Sequence, residues 1–145
     1  MSDRPTAHAR AHYRHFLPIQ TRWSDNDAYG HVNNVVYYSW FDTVVNEYLI
    51  AAGALDILTS TVVGLVVETQ CNYFSELAFP QAVDAGLRVA HAGNSSVRYE
   101  LALFAADGDL ASAQGHFVHV YVDRANRRPV PLPPALREAV ERLRT

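Results

Sequence analysis

Lysine is absent from this chain and cysteine occurs once, at Cys71. A lone cysteine excludes an intramolecular disulfide and any cysteine-based zinc site, and it fits a reducing compartment. No run approaches the roughly 20 apolar residues that a membrane span needs. The opening Met1-Ser2-Asp3-Arg4-Pro5 has no apolar stretch behind it of the kind a secretory signal carries. A cytoplasmic location without membrane contact is the resulting expectation. A broad basic face is missing too: the net charge of −3 divides into +3 over residues 1–22, −10 over 23–123 and +4 over 124–145. An acidic body rimmed by arginine does not read as a nucleic-acid surface. What is present, 49% hydrophobic and 19% charged residues over 145 positions, describes one globular domain long enough to build its own core.

Residues 1–12 are small, polar and aperiodic and read as a flexible tail, which leaves 13–145 as the domain. From Tyr13 to Trp23 an apolar run broken by Pro18 suggests an edge strand. Asn33-Asn34 then stand before a long apolar stretch ending at Gly53, the cap-then-stop pattern of a helix of about 18 residues. Ser39, Asp42, Thr43, Asn46 and Glu47 form one narrow polar stripe on that helix, and aromatic and β-branched residues cover the remainder. A helix so apolar around its circumference has to be wrapped. Val62–Leu77, Val83–His91, Ser96–Ala106 and Leu110–Asp123 are strand-like and separated by turn signals, and Pro134–Arg144 has the spacing of a short amphipathic helix. The order predicts an α+β fold, a five-stranded antiparallel sheet curled around one long central helix, with a short C-terminal helix.

The stretch Trp23-Ser24-Asp25-Asn26-Asp27-Ala28-Tyr29-Gly30-His31-Val32-Asn33-Asn34 crowds acids, amides and a histidine against the start of the buried helix. It begins like a calcium loop but fails at its fifth position, Tyr29, and its twelfth, Val36. Zinc through Asp27 and His31 lacks a third ligand, so no metal or other cofactor is expected. A buried helix start instead offers unpaired N–H groups and a positive dipole end, which stabilise the oxyanion of an attacked carbonyl. A carboxylate beside it can attack that carbon or activate a water. Read singly, Asp25, Asn33 and Asn34 are turn and cap residues; read together, the set has the parts of an acyl-transfer site.

Asp25-Asn26-Asp27-Ala28-Tyr29-Gly30-His31-Val32-Asn33-Asn34-x-x-Tyr37, between Trp23 and Trp40-Phe41-Asp42, resembles the acyl-CoA thioesterases of the hot-dog fold, the 4-hydroxybenzoyl-CoA thioesterase-like group. The resemblance spans nearly the whole chain. It implies that Asp27, the second Asp of the pair, is the catalytic carboxylate. It further implies dimers that join two sheets, often paired into tetramers, with the active site at the subunit interface. The aryl-CoA members carry Pro-Ala-Gly after the Asp, whereas His31-Val32-Asn33-Asn34 is similar to fatty acyl thioesterases; the Asn that acyl-carrier-protein thioesterases use is replaced here by Tyr29.

The expected activity is hydrolysis of an acyl thioester carried on coenzyme A, or on an acyl-carrier protein. Asp27 would be general base or nucleophile, His31 and Asn33 or Asn34 would position it, and N–H groups near residues 35 to 37 would form the oxyanion site. Tyr29, Gly30, Val35, Tyr37 and Glu76 are expected against the substrate. The densest arginine group, Arg124, Arg127 and Arg128, is expected on the coenzyme phosphates, because the acidic body would repel them. Glu47 is a weaker alternative carboxylate. His116 and His119, three apart in a strand, should face opposite ways. The runner-up function is a module that binds acyl-CoA without cleaving it. In either case the expected assembly is a homodimer or homotetramer.

Overall fold

Pro18 cannot donate to a ladder, so the strand that holds it belongs at a sheet margin. The computed structural model, which describes residues 5–145, has it there: β1 (His15–Gln20) pairs with β3 (Ala82–Ala92) alone. β3 pairs with β4 (Ser96–Ala105), β4 with β5 (Ala113–Asp123), and β5 with β2 (Val62–Tyr73). All pairings are antiparallel and the strand order is β1-β3-β4-β5-β2. One long helix, α1 (Asn34–Ala51), and one short one, α2 (Pro134–Glu141), complete the α+β arrangement expected from the sequence. No helix among the described residues is long and apolar enough to cross a membrane.

The cap-then-stop reading holds at both ends of α1. The Asn33 side chain accepts the Val35 N–H at 3.0 Å, and the chain leaves the helix at Gly53, whose φ of 74° suits a residue without a Cβ. Between them Phe41, Val44 and Val45 are fully buried against Val83, Leu87, Tyr99 and Leu101 of the sheet, and Phe41 meets Phe117 edge-on at 5.8 Å. Removing a ring such as Phe41 from this core costs about 3–5 kcal/mol. The wrapping is incomplete within one chain: Val35 and Ile50 are exposed, and Val36, Tyr38 and Tyr48 are only half-buried.

Residues 1–4 of the expected tail lie outside the described residues, and from Thr6 onward the segment is fastened down. Gln114 Nε2 donates to the Thr6 carbonyl at 2.9 Å, and the His8 N–H donates to Gln114 Oε1 at 2.8 Å. The Arg10 guanidinium donates to Asp84 (2.9 Å), to the Gly108 carbonyl (2.9 Å) and to the Ala105 carbonyl (3.0 Å), and stacks 4.9 Å above the Phe104 ring. A polar, aperiodic segment is thus held by one arginine fork that satisfies turn carbonyls while its stem covers an aromatic. Strand ends also move inward. β2 stops at Tyr73 because the Phe74 and Ser75 N–H groups turn to the Ser112 carbonyl, and Trp23–Asp25 forms a 3₁₀ turn instead of extending β1.

β2 is the other sheet margin. Among the described residues its ladder partner is β5 alone, and Leu65, Val66 and Val67 are 37%, 47% and 59% exposed.

Candidate active site

The loop before α1 is built by spending most of its polar groups on itself. The Asp25 carboxylate, 1% exposed, accepts the Arg22 N–H at 2.7 Å and the Arg22 guanidinium at 2.9 and 3.1 Å. Its carbonyl takes the Asn33 N–H at 2.9 Å. Asn26 Oδ1 accepts the Phe79 N–H at 3.0 Å, and the Val32 N–H reaches the Leu77 carbonyl at 2.8 Å, so the loop is clamped to the β2–β3 connection. The turn closes with Asp27 N–H to the His31 carbonyl (2.9 Å) and Gly30 N–H to the Asp27 carbonyl (3.1 Å). Gly30 sits at φ 84°, a backbone region closed to most side chains.

Asp27 is the acid left over. Its carboxylate is half-buried and accepts the Tyr29 N–H at 2.9 Å. It faces a cleft of about 480 Å³ that is also walled by Tyr29, His31, Asn34, Tyr37 and Glu76, at the N-terminus of α1. His31 Nε2 lies 2.8 Å from Glu76 Oε2. An exposed pair of this kind adds at most about 1 kcal/mol of stability, so its effect is to fix the ring. Tyr73 donates its hydroxyl to the Asn34 carbonyl at 3.1 Å and packs at a tilt of 36° against Tyr37, with ring centres 5.0 Å apart. Burial pushes the Tyr37 phenol up to about 12 and the Cys71 thiol up to about 11; the Tyr73 phenol is raised further for the same reason. These groups stay protonated at neutral pH.

Of the residues expected here, Asp27, Tyr29, His31, Asn34, Tyr37 and Glu76 come together. Others do not. Asn33 spends its side chain on the Val35 N–H, and the Val36 N–H goes to the Asn33 carbonyl at 2.9 Å. Two of the N–H groups expected for an oxyanion are therefore engaged, and Asn33 acts as cap rather than as a cleft group. Asn34 N–H, one residue earlier, has no acceptor among the described residues. Gly30 serves the turn, and Val35 is 66% exposed and is not part of the cleft wall. Glu47 pairs with His15 at 3.2 Å, along the helix from the cleft.

Arg124, Arg127 and Arg128 are at the far end of the β2–β5 ladder. Asp123 pairs with Val62 and Ala113 with Tyr73, so ten residue steps along β5 separate the arginine turn from the cleft, or about 33 Å at 3.3 Å per residue. Density in the sequence was not proximity in space. Arg124 is occupied besides, donating to the Leu58 and Ile57 carbonyls at 3.0 and 2.6 Å. His116 and His119 do face opposite ways: His116 pairs with Glu68 at 2.7 Å, while His119 is buried beside Tyr99. Sequence reasoning missed Tyr73, Phe74 and Ser75 in the cleft wall; the only signal was that they follow a strand directed at the loop. Among the described residues no three His, Cys, Asp or Glu side chains are grouped to hold a metal.

The family model for the thioesterase-like superfamily matches residues 21–140. Among solved structures, the chain is similar to the PA5185 protein of Pseudomonas aeruginosa strain PAO1, with 56% identity over 97% of this chain and 98% of that one and a TM-score of 0.95. It is similar to the PA2801 protein of Pseudomonas aeruginosa, whose thioesterase role is itself a provisional assignment, at 27% identity over 88% and 98% with a TM-score of 0.82. Slr0204, a 1,4-dihydroxy-2-naphthoyl-CoA thioesterase from Synechocystis, shares the fold at 16% identity over 86% and 93%, TM-score 0.78. No curated protein matches the sequence.

Proposed function

The chain belongs to the thioesterase-like superfamily, a hot-dog fold of five antiparallel strands and one long helix, and from that membership we propose that it hydrolyses an acyl thioester to a free acid and coenzyme A. The observation that carries the reading is the position of Asp27: an acid with no cationic partner among the described residues, in a cleft, beside the start of α1. In this reading the thioester carbonyl oxygen lies toward the Asn34 N–H and the positive end of the helix, where developing negative charge is stabilised. As general base, Asp27 takes a proton from water as the water oxygen attacks the carbonyl carbon. The C–S bond then breaks with its electron pair on sulfur, and Asp27 returns the proton to the thiolate. As nucleophile it would form an anhydride that water opens. Single-turnover hydrolysis in ¹⁸O-water separates the two, since only the anhydride route can leave label in the Asp27 carboxylate. His31, fixed by Glu76, orients the water or the thioester.

The reading includes a homodimer, or a tetramer made from it, joined along β2. A long margin strand with exposed apolar residues is normally covered, and an antiparallel pairing of two β2 strands would bring the 124–128 turn of the second copy toward Tyr73. Contact between Arg124, Arg127 and Arg128 and the coenzyme phosphates would then be made across the interface. Light scattering that shows only a 16.2 kDa species at working concentration would exclude this assembly.

The test of the activity is turnover of an acyl-CoA panel, read with a thiol-detecting dye, for the wild type and Asp27→Asn. A positioned acid or base contributes about 10²- to 10⁴-fold, so the variant should lose that much in kcat. Equal rates remove Asp27 from the reaction. Binding with the thioester left intact across the panel would establish the non-catalytic module instead. A parallel series on acyl-carrier-protein thioesters reads the carrier.

A further inference from the structure

The face of the sheet turned away from α1 carries a cavity of its own. Strand alternation puts Cys71, Tyr99, Leu101 and Phe117 on the α1 side, so Gln70, Asn72, Arg98, Glu100, Gln114 and His116 come together on the other. The N-terminal segment runs over them, fastened by Gln114, and encloses about 240 Å³ between this polar wall and the rings of His8 and Tyr13. Most of the wall is already engaged. Gln114 spends its amide on the Thr6 carbonyl and the His8 N–H. His116 is held between Glu68 at 2.7 Å and Arg98 at 3.2 Å, and Glu100 between Arg88 at 2.6 Å and Arg98 at 3.2 Å. The side-chain amides of Gln70 and Asn72 enter none of these bonds, and they stand two residues apart on one face of β2, about 7 Å along the strand.

This cavity is joined to the candidate active site around the end of β2. A hollow of about 450 Å³ is walled there by Pro5, Asn72, Tyr73 and Phe74. It shares Tyr73 and Phe74 with the cleft that holds Asp27, and Pro5 and Asn72 with the outer cavity. From Tyr73 to Gln70 the path covers three residues, about 10 Å. Pairing of two β2 strands takes place in the plane of the sheet and leaves this outer face open. In the proposed dimer the second copy's 124–128 turn arrives near Tyr73, midway along the path. A ligand laid along it meets the Asp27 carboxylate, then arginines, then a polar cavity whose one arginine and one glutamate balance each other. Coenzyme A presents its thioester, its pyrophosphate and its base in the same order.

We propose that the outer cavity binds the adenine of coenzyme A, with the amides of Gln70 and Asn72 reading the edge of the base that carries its exocyclic amine. The inference rests on the thioesterase reading and adds to it the place of the nucleotide. A carboxamide suits adenine because its oxygen and nitrogen stand side by side, one accepting from the exocyclic amine and the other donating to a ring nitrogen. The His8 and Tyr13 rings supply the aromatic surface against which bases pack. Adenine is uncharged, so a balanced wall does not oppose it, and the phosphates are left to the arginine turn. The size fits: a cavity of about 150 Å³ already takes benzene, which leaves room here for a fused bicycle.

The test reads binding by calorimetry, with coenzyme A, its 1,N6-etheno derivative and pantetheine titrated against the full chain. The etheno bridge blocks the amine edge of the base and leaves the arm and phosphates intact. It should weaken binding about fivefold or more, the loss expected of one bidentate amide pair, and pantetheine should bind more weakly still. Gln70→Leu combined with Asn72→Leu should bring coenzyme A down to the affinity of the etheno derivative and leave pantetheine unchanged. The same variant should raise KM for an acyl-CoA with kcat unaltered. Equal affinity of the wild type for coenzyme A and its etheno derivative overturns the proposal without a variant having to fold, and leaves the hydrolytic reading standing. Undiminished coenzyme A binding in the double variant, or no binding of coenzyme A to the wild type, overturns it as well. A wild type that discriminates the two nucleotides yet hydrolyses no acyl-CoA removes the hydrolytic reading and keeps the base site.

Discussion

His119 should make the protein acid-sensitive by an amount that follows from its burial. Its pKa in the folded chain is about 4, against 6.5 for the ordinary imidazole of an unfolded one. Between these values the unfolded state holds a proton that the folded state refuses, so stability is full above about pH 6.5 and falls as the pH drops toward 4. Each unit of separation is about 1.4 kcal/mol, so the whole loss approaches about 3 kcal/mol, of which about 2 kcal/mol appears between pH 7 and pH 5. That is a large share of a typical stability of about 5–15 kcal/mol. The groups around the ring do not offset it: Tyr99 and Tyr121 are phenols bonded to each other, and Phe117 is apolar. The perturbation is His119→Phe, and the assay is urea unfolding of both proteins at pH 7, 6 and 5 with protein concentration held fixed. The two proteins differ at this residue alone, so the difference between the two slopes isolates His119. The wild type should lose about 2 kcal/mol more than the variant over this interval. Parallel curves would refute the reasoning, because they would mean that the ring takes up its proton in the folded state as easily as in the unfolded one.

Asn33→Ala removes the cap on the Val35 N–H and should cost about 1 kcal/mol in urea unfolding, while Asn33→Asp should retain most of it; equal losses would deny the cap. Arg10→Ala frees the anchored segment, so limited proteolysis before Tyr13 should speed up severalfold with kcat unchanged; unaltered cleavage would show that the Gln114 bonds suffice alone. Arg127→Ala combined with Arg128→Ala should raise KM for an acyl-CoA and leave the matching acyl-pantetheine unaffected, since a phosphate contact binds ground and transition states alike. Equal effects on both substrates detach the turn from the nucleotide.

Local patterning carried the sequence reading where the structure itself is local. The bounds of α1 followed from Asn33 and Gly53, which are cap and stop for the backbone reasons that made them visible. The strand order did not follow: β1 next to β3 and β2 next to β5 are pairings between distant segments, and only the edge position of Pro18 left a local trace. At the cleft, Asp25 and Asp27 are indistinguishable by residue type. Space separates them, because Arg22 folds back on the first and leaves the second. The fastening of the N-terminal segment and the place of the arginine turn within the chain left no trace in the sequence for one reason. His8 meets Gln114 and Arg10 meets Asp84 across 106 and 74 residues, and the arginine turn is held apart from the cleft by the length of a ladder. Neither separation leaves a period in the sequence.

β2 has a consequence for the protein's manufacture. It is made early, but the strand it pairs with is the last of the five, and Tyr73 must wait about forty residues for Ala113. At roughly 5–20 residues per second, a ribosome takes about 2–8 s to cover that gap. For that time Val62-Val63-Gly64-Leu65-Val66-Val67, uncharged and free of proline, has no partner in its own chain, and neighbouring nascent copies offer it the same backbone edge. The one charge in β2 follows immediately, at Glu68. In the finished protein that carboxylate pairs with His116; on the nascent chain the same charge flanks the apolar run, where a charge disfavours pairing between copies.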